Sequence, residues 1–209
     1  MKVVLFGASG MIGSRILQEL VSRGHKVTAV VRNPEKVTAA TGVTVLKGDV
    51  ADVASVAASA KGAETAISAY APPHTAVETV LTATRSLLAG LNAAGVKRLS
   101  VVGGAGSLEV TPGVQLVDTP NFPEEWKGIA LAHRDVLPIL KASDLEWSYL
   151  SPAAFIQPGE RTGKFRLGGK QLVTDEKGES RISAEDFAVA LVDELESPKH
   201  VRQQFTLAY

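Results

Sequence analysis

Short runs of apolar, β-branched residues alternate along the chain with longer segments whose apolar residues recur at three- and four-residue spacing. This order predicts strands and helices in turn. Because the strands are almost continuously apolar, they are typical of a parallel sheet covered by helices on both faces. The predicted strands are residues 3–6, 26–31, 43–46, 65–68, 98–102, 147–150 and 203–207. We therefore expect an α/β fold, a Rossmann-like doubly wound parallel sheet in a single domain over 1–209.

Capping residues and helical spacing predict where the helices lie. Gly95 is expected to end the longest helix, and Ser183 to cap the last one. The predicted helices are about 11–22, a segment beginning at Asn33-Pro34-Glu35, a segment following Asp49 and Asp52, about 74–94, and 184–196.

Two segments do not fit the alternation and are expected to be loops on the substrate side of the domain. Residues 103–125 are rich in Gly, Pro and Thr and are too long for a simple connection. Residues 158–182 form a small C-terminal elaboration, in which 158–179 are expected to form a hairpin.

The composition limits the partners of the protein. Lys+Arg and Asp+Glu are both 22, so no overall positive charge favours nucleic acid. The chain contains no cysteine, which excludes disulfides, thiolate metal sites and a Cys nucleophile. No apolar run approaches the ~18 residues of a membrane span. We expect a cytoplasmic protein that binds neither nucleic acid nor membrane; its oligomeric state is open, with a homodimer among the alternatives.

A glycine-rich turn follows the first predicted strand and leads into the first predicted helix. Gly7, Gly10 and Gly13 have the GxxGxxG spacing of dinucleotide-binding turns. Such a turn needs positive φ and lets a pyrophosphate approach bare backbone at a helix N-terminus. The alternative is a glycine-rich connection without a ligand. The predicted cofactor contacts here are Gly7, Ala8, Ser9, Gly10, Met11, Ile12 and Gly13.

The end of the second predicted strand bears on the choice between NADPH and NADH. An NAD site usually places a carboxylate here, against the ribose hydroxyls, but this chain has Arg32 and Asn33. Arg32 could bind the adenosine 2′-phosphate through two hydrogen bonds, which favours NADPH, with NADH as the second choice. The alternative is a solvated arginine near a helix start.

Further cofactor contacts are expected after the third and fourth predicted strands. Asp49 and Val50 could hydrogen-bond an adenine edge, although Asp49 could equally cap the following helix. Ser68, Ala69 and Tyr70 leave the fourth strand at the carboxyl edge of the sheet, where cofactor and substrate meet in open α/β folds.

These residues, with the segments Gly103-Gly104-Ala105-Gly106-Ser107 and Trp147-Ser148-Tyr149-Leu150-Ser151-Pro152, resemble the atypical short-chain dehydrogenase/reductase families. The chain is most similar to the NmrA-like NAD(P)H-binding proteins and the NADH-flavin reductases, and more distantly to flavin and biliverdin reductase B. The resemblance covers essentially the whole chain and implies that Gly103, Gly104 and Pro152 also contact the cofactor.

The chain departs from the superfamily at the residues that usually perform its chemistry. Ordinary members use a Tyr and a Lys four residues apart, and aligning the turn at residues 140–143 places Ile129 and His133 there. Tyr-dependent alcohol oxidation and epimerisation therefore have no support. The resemblance implies that His133 is a proton donor or positioning group, with a packing histidine as the alternative, and that Ser107 lies in the region of the active-site serine.

A planar conjugated acceptor, such as a flavin or quinone, needs no such Tyr, because hydride passes directly to its ring. Phe122, Trp126 and Phe155 could be the walls of its site, or simply core. No metal is expected, since the chain has no HExxH and no His/carboxylate cluster. The sequence thus favours an NADPH-dependent reductase. The alternatives are a non-catalytic redox sensor of the NmrA type and, less favoured, an epimerase or dehydratase.

Overall fold

The computed structural model describes residues 1–209, apart from the side chain of residue 74. The strands are β1 (Lys2–Phe6), β2 (Lys26–Val31), β3 (Val43–Lys47), β4 (Thr65–Ser68), β5 (Arg98–Val102), β6 (Glu109–Thr111), β7 (Val114–Gln115), β8 (Glu146–Ser151), β9 (Phe155–Gln157), β10 (Arg166–Gly168), β11 (Arg181–Ser183) and β12 (Gln203–Ala208). The α-helices are α1 (Met11–Ser22), α2 (Val53–Ala60), α3 (Thr79–Ala94), α4 (Glu124–Arg134), α5 (Val136–Lys141) and α6 (Ala184–Glu196).

The main sheet confirms the predicted doubly wound fold. Its strand order is β10-β12-β8-β5-β4-β1-β2-β3, and every neighbouring pair is parallel except β10 with β12. The chain runs outward from β1 through β2 and β3, and then crosses to β4 on the other side of β1. The point where the order reverses therefore lies between β1 and β4, which is where ligands bind in open α/β sheets.

Helices cover both faces of this sheet, as its apolar strands require. In α1, Ile16, Leu17 and Leu20 are buried in one core, which α6 completes with Phe187 and Leu191. The opposite core is formed with residues of α2, α3 and α5. Gly95 ends α3 with φ +76°, and Ser183 caps α6 by accepting from the Asp186 amide, both as predicted. Within the part of the chain that the structure describes, no helix is long and apolar enough to cross a membrane.

Two predicted helices are wrong in extent. The segment at Asn33 forms only a 3-10 turn, Pro34–Lys36, and the Asn33 side chain caps nothing among the described residues. The residues that follow include threonines and a valine, which favour a helix weakly. The helix predicted over 74–94 is divided into a 3-10 turn, His74–Ala76, and α3, which begins at Thr79.

The predicted hairpin over 158–179 is also wrong. Its short strand β10 pairs antiparallel with β12, at the edge of the main sheet, and not with a neighbouring part of the same segment. The free edge of β12 has backbone hydrogen-bonding groups that need a partner, and β10 pairs with them instead of with a second strand of its own segment. Two small sheets accompany the main one: β9 pairs with β11, and β6 pairs with β7.

Candidate functional site

The strand register brings the predicted site segments to one edge of the sheet. Phe6, the last residue of β1, is level with Val30 in β2 and with Ser68 in β4. In the other half of the sheet, Val102 at the end of β5 is level with Leu150 in β8. Because these strands are parallel, the residues that follow each of them meet at the carboxyl edge.

The glycine turn after β1 is held in a conformation that excludes side chains. Gly7 has φ +84°, and its amide donates to the Val30 carbonyl at 3.2 Å. A Cβ on Gly7 would lie 2.5 Å from the Ala69 carbonyl oxygen, and one on Gly13 only 2.1 Å from the Gly7 carbonyl oxygen. Both contacts are with backbone that cannot rotate away. Gly7 and Gly13 are therefore required by the fold of the turn.

The start of α1 can hold an anion. Its first turn carries no acidic residue, and no described side chain caps it. The amides of Met11, Ile12 and Gly13 are in the first turn, where a helix has no acceptors of its own. A Cβ on Gly10 would meet the nearest atom at 3.5 Å, so the surface above Gly10 is open. These features fit a pyrophosphate, which needs backbone donors and close approach.

A cleft beside this turn is lined by most of the residues that were predicted to contact the adenosine part of the cofactor. Arg32, Asp49, Val50 and Tyr70 line it together with the turn. Arg32 is exposed and forms no ion pair with a described residue, so its guanidinium is available to a ligand. Asn33 is exposed next to the cleft but does not line it.

The other residues predicted to contact the cofactor near this cleft are hydrogen-bonded within the protein or buried. Asp49 accepts from the Ala51 amide at 2.9 Å, whereas the cap of α2 is Asp52, which accepts from the Ala54 amide. Ala69 also lines the cleft, and its amide donates to the Phe6 carbonyl at 2.9 Å. Ser68 and Ala8 are buried, with 7% and 1% of their surface exposed. Any contact that Ala8 makes with a cofactor would therefore be through backbone.

The second glycine loop, after β5, packs on Tyr149. A Cβ on Gly103 would lie 2.1 Å from Cε1 of this tyrosine. The Tyr149 hydroxyl accepts from the Gly104 amide at 3.2 Å and donates to the His133 carbonyl at 2.8 Å. It thereby joins the glycine loop to α4. The sequence analysis named Tyr149 only as part of the segment 147–152 and gave it no role.

An apolar cavity of about 580 Å³ lies between this loop, α4 and the segment after β8. Ligand pockets have volumes of roughly 300–1,000 Å³. Its lining residues are Gly104, Ala105, Gly106, Leu116, Thr119, Asn121, Phe122, Pro123, Trp126, Ile129, Ala130, His133, Pro152, Ala153, Ala154, Phe155 and Ile156. Trp126 and Phe155 are 51% and 72% exposed, so neither belongs to the core. The structure thus places all three predicted aromatic walls around one cavity.

His133 is the only titratable group among the described side chains that line this cavity. Burial lowers its pKa to about 4, and its Nδ1 is buried without a hydrogen-bond partner among the described residues. At neutral pH the imidazole is therefore uncharged and cannot act as an imidazolium acid. It can still orient a ligand through a hydrogen bond.

Ser107 does not line the cavity and is only 2% exposed. Its hydroxyl donates to the Gly104 carbonyl at 3.0 Å and accepts from the Gln204 side chain at 2.9 Å. It connects the glycine loop to β12. The segment 158–182 likewise contributes no described residue to the cavity, and lines a neighbouring cleft instead.

The site contains no evident metal centre. Among the described residues, no group of three or more His, Cys, Asp or Glu side chains could hold a metal ion. The donors that are present suit a dinucleotide and an apolar second ligand.

Comparison with known proteins agrees with this geometry. A protein of Burkholderia pseudomallei, described as a candidate exported protein, is 50% identical, with a TM-score of 0.92 and 100% of both chains covered. A candidate epimerase of Bacteroides thetaiotaomicron is 42% identical, with a TM-score of 0.94, over 100% of this chain and 96% of that one. A candidate NADH-flavin reductase of Streptococcus pneumoniae is 36% identical, with a TM-score of 0.89, over 100% and 99%.

The family described as NAD(P)H-binding matches residues 7–198, from the glycine turn to the end of the last helix region. The matched range includes the glycine turn and all the residues that line the apolar cavity. The chain belongs to this NAD(P)H-binding family.

Proposed function

We propose that the protein is a reductase that uses NADPH to reduce a planar conjugated acceptor, such as a flavin or quinone. The observation that carries the proposal is the apolar cavity beside His133, at the same sheet edge as the dinucleotide turn. The similar Streptococcus protein, described as a candidate NADH-flavin reductase, adds support.

The chemistry asks little of the protein beyond placement. A bound reduced nicotinamide supplies hydride to an acceptor that is already electrophilic. The glycine turn and α1 hold the pyrophosphate, while the cavity walls hold the acceptor. The neutral ring of His133 lines the cavity and helps to orient a bound group. The accompanying proton comes from solvent, because no other titratable side chain among those described lines the cavity.

The preference for NADPH is supported by Arg32. It lines the cofactor cleft, is exposed and has no ion-pair partner among the described side chains. A 2′-phosphate would give it a charged partner, while the hydroxyl of NADH would not. Within this proposal Ser107 is a positioning residue, since its hydroxyl is already hydrogen-bonded and buried.

A non-catalytic redox sensor is the competing function, and one observation favours it. The cavity has no group that is charged at neutral pH among its described side chains, and a sensor needs none. The same observation speaks against an epimerase or dehydratase, which requires an acid and a base close to the substrate.

Turnover assays decide between these functions. NADPH oxidation is followed with riboflavin and naphthoquinone as acceptors, alongside titrations of NADPH and NADP⁺ binding. We expect turnover with at least one acceptor. Tight binding of both cofactor forms without any turnover would reject the reductase and favour the sensor.

A cavity-filling variant localises the reaction. Ala154 lines the cavity at an exposed position, so Ala154→Trp should block the acceptor and abolish turnover while NADPH still binds. Ala58, exposed on α2 away from the edge, gives the control Ala58→Trp, which should keep full activity. Equal activity of the two variants would show that the acceptor binds elsewhere.

A further inference from the structure

The charges around the apolar cavity bear on which acceptors it can take. Of the described residues that line it, none is Lys or Arg, and the polar ones are Thr119, Asn121 and the neutral His133. A phosphate or sulfonate would find no cationic side chain inside. The cavity therefore offers an acceptor contact area and hydrogen bonds, but no compensation for negative charge.

The N-terminus of α4 lies at the opening of the cavity, here called the mouth, and acidic residues already occupy it. Helix α4 begins after Pro123, which lines the cavity, and a helix start attracts anions. Its first turn, however, carries Glu124 and Glu125. Their carboxylates take the favourable position and give the mouth a negative charge.

Glu125 is held at the mouth by the aromatic wall itself. The Trp126 indole N–H donates to the Glu125 carboxylate at 3.0 Å, so this charge stays beside the ring that an acceptor would contact. Glu124 is partly balanced by Lys127, whose ammonium lies 3.6 Å away. An anionic acceptor approaching Trp126 thus meets a fixed carboxylate.

A further cation beside the aromatic walls is Arg181, which is level with Phe155 in the pairing of β9 with β11. It lines the neighbouring cleft and not this cavity. Its guanidinium is also bound to the Glu179 carboxylate at 2.8 Å. Arg181 is therefore poorly placed to compensate an anion held between Trp126 and Phe155.

From this arrangement we infer that the cavity selects planar aromatic acceptors without an anionic group and discriminates against their phosphorylated or sulfonated forms. The inference rests on the proposed reductase function and specifies its substrate class. Riboflavin and FMN share one ring system and differ by a phosphate, so they form a matched pair; naphthoquinone and naphthoquinone sulfonate form a second.

Equilibrium binding of these four compounds tests the inference. The titrations are done with saturating NADP⁺, so that no hydride is transferred and binding is measured apart from turnover. A phosphate carries about −1.5 to −2 charges at neutral pH. Facing one or two exposed carboxylates, it should weaken FMN binding about tenfold relative to riboflavin, and the difference should shrink as salt is raised.

The double variant Glu124→Gln/Glu125→Gln identifies the cause. It should bring the ratio of FMN to riboflavin dissociation constants close to 1, whereas Glu176→Gln, at an exposed acidic residue in the 158–182 segment, should leave the ratio as it is. If FMN binds the unmodified protein as tightly as riboflavin does, the inference of charge selection is wrong, while the reductase proposal still stands. Binding of none of the four compounds would overturn the reductase proposal together with it.

Discussion

The two halves of the sheet edge are built in different ways. On the side of β1, β2 and β4, the cofactor cleft is built around the glycine turn, and residues after β2, β3 and β4 complete it. In the turn itself backbone packs on backbone: a Cβ on Gly13 would be 2.1 Å from the Gly7 carbonyl oxygen. Over β5 and β8, the cavity is assembled from side chains of separate segments within 104–133 and 152–156. The turn in the first half has almost no freedom to vary, while the cavity in the second half can change its ligand by changing side chains.

This difference explains how similar proteins with the same fold can be described as an epimerase in one case and as an NADH-flavin reductase in another. The glycine turn requires a particular backbone and so fixes the dinucleotide. The cavity requires only that some side chains enclose a volume. Variants in the cofactor half should therefore act on cofactor affinity, and those in the acceptor half on acceptor kinetics.

The largest effect is expected from Gly13→Ala. The added Cβ cannot be accommodated without moving the Gly7 carbonyl, which distorts the turn. A clash this close to rigid backbone should cost about 3 kcal/mol, the upper end of the range for overpacking, so we expect NADPH affinity to fall by about 100-fold. Fluorescence titration measures it. Gly128→Ala is the control, because Gly128 is also a helical residue without positive φ, and its Cβ would meet the nearest atom only at 3.9 Å. An affinity within threefold of the parent would contradict the account of the turn.

Arg32→Gln should have the next largest effect, and on one cofactor only. Losing a charged hydrogen-bonding partner for the 2′-phosphate costs about 1.5–3 kcal/mol. We therefore expect NADPH to bind roughly 10- to 100-fold more weakly while NADH binding stays the same, as measured by parallel titrations. Lys36→Gln, at an exposed cation nearby in the chain, controls for general charge loss. Equal weakening of both cofactors would remove Arg32 from phosphate recognition.

Features set by neighbouring residues could be predicted from the sequence, whereas features that join distant segments could not. The main strands, the glycine turn between β1 and α1 and the capping of α6 by Ser183 depend on neighbouring residues and were predicted correctly. The pairing of β10 with β12 was missed, because it joins residues about forty positions apart. The three aromatic walls were proposed only as an alternative to core, since no local pattern shows that separate segments will enclose one cavity.

The state of His133 could not be predicted either. His133 was singled out by aligning the turn at residues 140–143 with the superfamily, but its pKa of about 4 results from burial in the folded chain. Tyr149 was overlooked for a related reason. Its hydroxyl is important because it joins Gly104 to α4, a contact that exists only in the folded chain.

A moderate effect in the acceptor half is expected from Tyr149→Phe. Without the hydroxyl, the Gly104 amide and the His133 carbonyl lose their shared partner. We expect the free energy of unfolding to fall by about 1–2 kcal/mol, and the KM for the acceptor to rise several-fold as α4 shifts, with NADPH affinity unchanged. Tyr209→Phe is the control: its hydroxyl is bonded to Asp186 and Ser183, away from the cavity. If both variants raise the acceptor KM equally, Tyr149 has no specific positioning role.

The smallest effect is expected when pH is varied around neutrality. A histidine gains its proton only as pH falls below its pKa, and burial lowers the pKa of His133 to about 4. Between pH 6 and 8 the imidazole therefore stays neutral, and kcat/KM should change by less than about twofold, unlike that of an enzyme using a histidine acid of ordinary pKa near 6.5. The profile is compared with that of His133→Gln. An inflection between pH 6 and 7 that disappears in the variant would mean that His133 transfers a proton, and that the acceptor half works by acid catalysis and not by placement alone.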